Sequence, residues 1–241
     1  MQKLLLGALL GLAVMTPVAA HAAPPAPYQI AAASDFDAMM AKGRQHDARG
    51  EYEDALSYYK KSLAIKENDF AAQVMIAHAL LMLERYNEAM DLCEKLEKHP
   101  GAKDASAYYR SEVYVVLGGA QGLKSKREGM MAMMKYGLGV RKQLEKGVEI
   151  DPDNARARYA LGRYFLEAPG MVGGDAKKGT EMLAKAVKMD SDDWVIRGNY
   201  VRGLFQINSP SAKEEGERFV KDFASIPASQ KTFADVIAKL K

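Results

Sequence analysis

The stretch FLEAPGMVGGDAKKGT, residues 165–180, combines glycines, lysines and a threonine in the manner of a phosphate-binding loop. A loop of the form GxxxxGK[S/T] cradles nucleotide phosphates between a strand and a helix. Here the order is Lys178-Gly179-Thr180, and the preceding ARYALGRYFLEA predicts a helix instead of a strand. Asp175 is placed to cap the following helix, where its carboxylate repels an anion. We therefore expect a hairpin between two helices and no nucleotide site.

A methionine cluster offers a second kind of chemistry. Met130, Met131, Met133 and Met134 fall within one and a half helical turns, and thioethers are soft ligands that suit Cu(I). Copper-binding segments usually combine Met with His, and no histidine lies nearby in the sequence. The alternatives are that these side chains fill an irregular core or line an adaptable apolar groove.

Other ligating or catalytic patterns are missing from the sequence. It contains no CxxC and no HExxH, and no two histidines are four residues apart. The histidines beyond the N-terminal segment are His46, His78 and His99. We therefore predict a protein that is not an enzyme and that has no cofactor and no metal site.

The N-terminal residues predict export. Lys3 is followed by the apolar run LLLGALLGLAVM, and Ala20-His21-Ala22 fits the small-x-small cleavage rule. We expect cleavage after Ala22, with Ala23 as the next choice, and a transmembrane anchor is the alternative that the short apolar run disfavours. This makes 1–22 a signal peptide and 23–35 a flexible tether to a folded domain at 36–241. The single cysteine, Cys93, is far from the cleavage site, so we expect neither a lipoprotein anchor nor a disulfide. The predicted location is the periplasm.

The charge of the chain limits its partners. The formal net charge is +3 for the whole sequence, and it becomes +2 once Lys3 is lost with the signal peptide. A charge this small gives no indication of binding to nucleic acid or to an anionic membrane surface. Ala, Leu, Met, Glu and Lys dominate the chain after residue 35 and strand-like runs are short, so we expect an all-α protein.

An internal repeat organises the chain. The segments EYEDALSYYKKSL and ERYNEAMDLCEKL share an aromatic-x-x-Ala core, and Tyr52 and Tyr86 are 34 residues apart, as are Ala55 and Ala89. This spacing is typical of stacked helix-turn-helix units, each too small to bury its apolar face alone. With VEIDPDNARARYALGRYFL (148–166), the sequence resembles the tetratricopeptide repeat family.

Five units are predicted, with a final helix as a cap. The third is seventeen residues too long, and we assign the excess to a long second helix in GLKSKREGMMAMMKYGLGVRKQLEKGVEI. The fourth contains five extra residues, which we expect to widen the turn between its two helices. Pro169 ends the first helix, and Gly173-Gly174 supply the positive φ angles of the turn. The helix pairs are 36–49 with 51–66, 70–83 with 86–98, a third pair from residue 104, 155–168 with 175–189, and a fifth pair from DDWVIRGNYVRGLF, followed by a cap at 229–241.

The resemblance implies a right-handed superhelical α-solenoid whose concave groove is formed mainly by the first helix of each unit. The APGMVGGD insertion is similar to one in secreted bacterial repeat proteins, and parts of 104–166 are similar to the regulators of microtubule dynamics. The lysine-asparagine arrangement of the carboxylate-clamp members is missing. The groove positions that the resemblance implies are Arg44, His78, Met82, Tyr108, Glu112, Tyr159, Arg163, Arg202 and Phe205, with Met40 and Val74 on the same face.

Tyrosine and arginine in one concavity are residue types that anchor peptides. The sequence therefore predicts a periplasmic adaptor that binds a protein or peptide along the groove without chemistry of its own. A carrier of a small lipid or organic ligand, with the Met cluster lining an apolar pocket, is the alternative, and a Cu(I) chaperone is the third.

Overall fold

The computed structural model describes residues 34–240, and residues 34–241 form one compact unit. The predicted signal peptide and most of the predicted tether lie outside the described residues. The α-helices are α1 (Asp35–Ala48), α2 (Tyr52–Ile65), α3 (Phe70–Met82), α4 (Tyr86–Leu96), α5 (Ala107–Glu128), α6 (Met130–Ile150), α7 (Ala155–Glu167), α8 (Ala176–Met189), α9 (Trp194–Gln206), α10 (Ala212–Asp222), α11 (Pro227–Thr232) and α12 (Ala234–Ala238).

Side-chain caps fix where several of these helices begin. Asp69 accepts a hydrogen bond from the Ala72 N–H at 2.9 Å before α3. Asp193 accepts from the Val195 and Ile196 N–H groups, at 2.8 and 3.1 Å, before α9. Such caps satisfy N–H groups that have no partner within the helix.

The helices form five successive antiparallel pairs, each packed on the next, which confirms the predicted all-α solenoid. Small residues allow the close crossings. Ala55, Ala77 and Ala89 are fully buried, and a Cβ added to Gly43 would lie 2.4 Å from the Tyr59 ring. Residues 34–240 contain no strand, and none of their helices has the length and apolar character needed to cross a bilayer.

The third pair differs from the prediction. The extra residues do not belong to the second helix alone, because α5 has 22 residues and α6 has 21, against 11 to 14 in the other four pairs. The two helices meet at Gly129, whose φ of 101° favours glycine and ends α5. The third unit is therefore a hairpin of two long helices, extended at its turn.

The C-terminal cap also differs. A single helix over 229–241 was expected, but α11 and α12 are separate helices that meet at Phe233. The break allows the fully buried Phe233 ring to pack against Phe219 and Trp194, with ring centroids 5.4 and 6.2 Å away. A Cβ on Gly198 would lie 2.3 Å from this ring, so α9 has room for Phe233 only because that residue is glycine.

The glycine-rich hairpin between α7 and α8 agrees with the prediction in outline. A 3₁₀ turn at Gly170–Val172 connects the helices, and the Asp175 carboxylate accepts a hydrogen bond from the Lys178 N–H at 3.0 Å. Of the glycines in this hairpin, only Gly173 has a positive φ, of 90°. Gly174 was expected to share that conformation, but it does not. It instead lets the chain pass close to the backbone of Ala168, because an added Cβ would overlap the Ala168 carbonyl oxygen.

Candidate functional site

The concave face of the solenoid encloses a cavity of about 680 Å³. The first helices of the pairs, α1, α3, α5, α7 and α9, all contribute to its wall. The turn between α1 and α2 closes one side, because a Cβ on Gly50 would lie 2.9 Å from the Ala228 Cβ and 3.2 Å from the Trp194 ring. The first unit thus touches the C-terminal helices, so the hollow is a partly enclosed pocket.

One wall of the cavity is apolar and belongs mainly to the long third pair. Glycines let α6 approach α5 closely there, since a Cβ on Gly118 would lie 2.8 Å from Leu144 and one on Gly122 would lie 3.3 Å from Val140. The apolar lining includes Leu81, Met82, Val115, Val140, Leu144 and Val172.

A buried ion cluster ties four of the first helices together. Arg156 of α7 donates to the Asp47 carboxylate of α1 at 2.9 Å, and its Nη1 lies 3.3 Å from His78 Nε2 of α3 and 3.8 Å from Glu112 Oε2 of α5. The side chains of Asp47 and Glu112 are 4% and 0% exposed, and that of Arg156 is 25% exposed. Because buried carboxylates need a counter-charge, Arg156 fixes how these four helices are arranged.

Asn154 completes the cluster. Its Nδ2 donates to Glu112 Oε1 at 2.8 Å and to Ser111 Oγ at 3.1 Å, while its Oδ1 accepts from the Arg156 N–H at 2.9 Å as the cap of α7. Ser111 in turn donates to the Gly147 carbonyl oxygen at 2.8 Å. The start of α7 is therefore positioned against α5 and α6 by one buried amide.

The electrostatics of Asp47 follow from these contacts. Burial by itself raises the pKa of a carboxyl group, but the adjacent His78 and Arg156 outweigh burial and hold the pKa of Asp47 well below its usual range. Asp47 is therefore a carboxylate at neutral pH, paired with Arg156, and the cluster is a structural charge network at the floor of the cavity.

A second row of polar groups crosses the cavity from α5 to α9. Arg163 donates to Glu167 at 2.7 Å and to the Tyr159 hydroxyl at 3.3 Å, and Lys126 of α5 donates to the same Glu167 carboxylate at 2.7 Å. Burial raises the pKa of Glu167, but Arg163 and Lys126 lower it further than burial raises it. Asn199 of α9 donates to the Tyr159 hydroxyl at 3.4 Å.

Arg202 extends this row to the C-terminal cap. It binds Asp235 of α12 through two hydrogen bonds of 3.0 and 2.7 Å, donates to Asn199 at 3.1 Å and lies over the Phe233 ring. These contacts occupy the guanidinium, so Arg202 fastens α12 to α9 at the edge of the cavity.

The structure brings five of the nine predicted groove residues to the cavity wall. These are His78, Met82, Tyr159, Arg163 and Arg202. His78 is 8% exposed and belongs to the ion cluster. Tyr159, Arg163 and Met82 are half-buried and face the cavity, so they are the predicted positions best placed to contact a ligand.

The other four predicted residues lie elsewhere. Glu112 is fully buried against Asn154, Arg44 is exposed, Tyr108 packs edge-on against Tyr109, and Phe205 lies beneath Lys239. Met40 and Val74 belong to the core, with 3% and 0% exposure. The groove pattern of the family places side chains on an open surface, whereas this solenoid closes on itself and buries several of them.

Several residues of the cavity wall were not among the predicted groove positions. Tyr52 and Tyr86, at the start of the second helices, and Trp194, at the start of α9, are part of the wall. Burial, together with the nearby Asp47, raises the pKa of the Tyr52 hydroxyl, which is therefore neutral at physiological pH. The 34-residue spacing of Tyr52 and Tyr86 was the available signal.

The four clustered methionines have different surroundings, and Met134 is half-buried. Met133 is part of the cavity wall, whereas Met130 and Met131 are 62% and 82% exposed at the start of α6.

His46, Glu51 and Asp54 form a separate group at the α1–α2 turn, where one ligand atom from each lies within 4.8 Å of the others. This group is on the surface, where acidic clusters are common without an ion, and His46 already contacts Glu51 at 2.6 Å.

Comparison with known proteins supports the resemblance to the tetratricopeptide repeat. The family model described as Tetratricopeptide repeat matches residues 48–110. The crystal structure of TTC0263, a thermophilic TPR protein of Thermus thermophilus, has a TM-score of 0.65 and 17% identity, and the match covers 84% of this chain and 99% of that one. The haemophore HusA of Porphyromonas gingivalis has a TM-score of 0.51 and 20% identity, covering 68% of this chain and 83% of that one. No curated protein matches the sequence significantly.

Proposed function

We propose that the protein is a non-catalytic adaptor that binds a short segment of a protein partner in the concave cavity. The observation that carries this proposal is the partly enclosed concave cavity of about 680 Å³, with an apolar wall on one side and the Tyr159–Arg163 row on the other. A solenoid provides a continuous concave surface, and such surfaces are the usual binding faces of repeat proteins.

The cavity chemistry suits a peptide. The half-buried Tyr159 ring provides a rigid aromatic surface, and Arg163, although paired with Glu167, keeps further N–H donors for a backbone carbonyl or a carboxylate. The apolar wall of α5 and α6 can bury one or two apolar side chains of the segment. A volume of this size limits the bound part to a few residues, because cavities of about 300–1,000 Å³ enclose drug-sized ligands.

A small apolar ligand is the second candidate. It is favoured by the same apolar wall, where Leu81, Val115 and Leu144 converge, and by the closure of the hollow at Gly50 and Ala228. In this version the protein is a carrier, and the polar row orients the ligand.

Site-specific photo-crosslinking in cells of the source organism distinguishes the two. A photoreactive phenylalanine derivative replaces Tyr159 in the cavity or, as the matched control, Tyr58 of α2, which stacks on His46 outside the cavity wall. We expect a covalent adduct with a polypeptide from position 159 only. Native mass spectrometry of protein purified without detergent runs in parallel, and a bound organic molecule with no polypeptide adduct favours the carrier.

The crosslinked segment, synthesised as a peptide, then tests the residues. We expect Tyr159→Ala/Arg163→Ala to weaken its affinity by about 10- to 100-fold, since anchor residues contribute about 1–3 kcal/mol each and losses in one site are not additive. Lys185→Ala, at an exposed position of α8, should leave the affinity unchanged. Equal affinities for the wild type and the double variant, or neither an adduct nor a retained molecule, would remove the cavity from the proposal.

We further propose that the protein acts in the periplasm after removal of 1–22. The support is the short apolar run behind Lys3 and the Ala20-His21-Ala22 sequence. The intact mass of the protein released from the periplasm should correspond to a chain that starts at Ala23. A mass that includes Met1, or recovery of the protein only from the cytoplasmic fraction, would contradict export.

A further inference from the structure

The turn of the third helix pair projects beyond the turns of the other pairs in residues 34–240. The helices α5 and α6 are about eight residues longer than their counterparts, and an α-helix rises about 1.5 Å per residue, so their shared turn extends by roughly 12 Å. On one side of the extended hairpin, Gly122 and Met133 line the cavity. The end of the hairpin, residues 124–138, contributes little to the buried core.

This end exposes apolar side chains. Met131 and Met130, the first residues after the turn at Gly129, are 82% and 62% exposed, and Leu138 further along α6 is 57% exposed. Seven large apolar side chains of the described residues are exposed, and these three of the seven lie within nine consecutive positions. A clustered apolar surface of this kind indicates a contact with something outside the chain.

The same segment concentrates positive charge. Residues 124–138 contain four basic residues and one acidic residue, a net charge of +3, and the remaining sequence has 30 basic and 30 acidic residues. The side chains of Arg127 and Lys126 are 70% and 54% exposed, and Lys135 is also exposed. Lys126 is paired with Glu167, and Arg127 lies 3.6 Å from an equally exposed Glu84, a pair that solvent weakens. The small charge of the whole chain conceals this local surplus.

The backbone adds to the positive potential at the turn. The helix α6 begins at Met130 after a glycine that offers no side-chain cap, and its first turn contains no acidic residue. The N–H groups of Met130 and Met131 therefore point outward with the positive end of the helix dipole. Lys126 and Arg127 lie in the last turn of α5, immediately before this point.

Exposed apolar side chains next to exposed basic groups fit one kind of partner. We infer that the α5–α6 turn docks on an anionic phospholipid bilayer, with Met130 and Met131 in the acyl boundary and the lysine and arginine side chains at the phosphate level. Long basic side chains reach the headgroups while their stems remain in the apolar layer. A weak apolar insertion and a weak electrostatic attraction together give reversible binding to a membrane surface. The protein would then present its cavity next to the membrane.

Vesicle co-sedimentation tests this inference on a chain that begins at Ser34, because residues 34–241 form one compact unit and the apolar N-terminal segment would bind lipid by itself. The probes are vesicles of phosphatidylcholine with 40% phosphatidylglycerol and vesicles of phosphatidylcholine alone. One variant is Met130→Ser/Met131→Ser and the other is Arg127→Glu/Lys135→Glu. Their controls are Ile65→Ser/Ile207→Ser and Lys185→Glu/Lys213→Glu, which change exposed residues on other helices.

We expect binding to the anionic vesicles, a loss of at least about tenfold in affinity in both turn variants, and unchanged affinity in both controls. Binding should also weaken as the salt concentration rises, since exposed charges are screened within about 10 Å at 0.1 M salt. Melting curves identical to the wild type establish that the variants are folded. Equal binding to both kinds of vesicle, no binding to either, or full binding by the turn variants would overturn the inference and leave an acidic protein as the partner to seek.

Discussion

Replacing Arg156 by methionine should lower the free energy of unfolding by about 3 kcal/mol, which corresponds to a fall in Tm of about 6–12 °C for a chain of this size. Methionine keeps most of the volume of the stem but removes the charge. Two carboxylates that are almost fully buried, Asp47 and Glu112, then lose their common counter-charge, and breaking a buried pair from one side is far costlier than removing it altogether. Thermal and urea unfolding measure the change.

Two controls isolate the buried charge. Arg218→Met removes an arginine that pairs with Glu214 and Glu215 on the exposed face of α10, and it should cost less than about 0.5 kcal/mol. Adding Asp47→Asn and Glu112→Gln to Arg156→Met should restore part of the lost stability, because no buried charge remains unpaired. If Arg156→Met were no more destabilising than Arg218→Met, the ion cluster would not be a structural element.

Acid provides an independent check on the same cluster. The pKa of Asp47 is lowered in the folded protein, so its contribution to stability is complete above the pKa of an unfolded aspartate, about 3.9, and is lost as the pH falls below that value. We expect the wild type to lose stability progressively as the pH falls below about 4. The loss should be smaller in Arg156→Met, where the counter-charge that lowers the pKa is missing.

The regular part of the fold was readable from the sequence because it depends on local spacing. The 34-residue period of Tyr52 and Tyr86 and the breaker positions predicted α1 to α4, α7 and α8 within two residues at each end. The prediction failed where a residue far along the chain decides the outcome. The last helix is interrupted at Phe233, whose ring packs into the space beside Gly198. The helix propensities of the neighbouring residues do not predict this long-range contact.

The candidate site was predictable only in part for a related reason. The resemblance to the tetratricopeptide repeat family implied Tyr159 and Arg163 as groove positions, and both reach the cavity. Glu112 shares the same pattern but is buried, since Asn154 and Arg156, more than 40 residues away, enclose it. The approach of Gly50 to Ala228, which closes one side of the cavity, likewise joins residues that are far apart in the sequence, so local spacing does not predict it.

The crossing of α7 and α8 leads to the second large effect: Gly179→Ala should destabilise the protein by about 2–3 kcal/mol, or about 4–12 °C in Tm. A Cβ at this position would lie 2.7 Å from the Gly162 carbonyl oxygen, 2.7 Å from the Leu166 nitrogen and 3.0 Å from the Leu166 Cα. These atoms are backbone, so no side-chain rotation relieves the contact and the two helices have to separate. Gly179 is thus required for packing, which answers why a glycine follows Lys178 in a stretch that resembles a phosphate loop.

Gly139→Ala is the matched control, because Gly139 is also inside a helix but an added Cβ would have nothing within 4 Å. That variant should gain about 0.5–1 kcal/mol from the better helix propensity of alanine, so the two substitutions are expected to have opposite signs. Separation of α7 from α8 would also shift Tyr159 and Arg163 in the cavity, and Gly179→Ala should therefore weaken ligand binding while Gly139→Ala leaves it intact. A stabilising Gly179→Ala would show that the helices cross with more room than these distances allow.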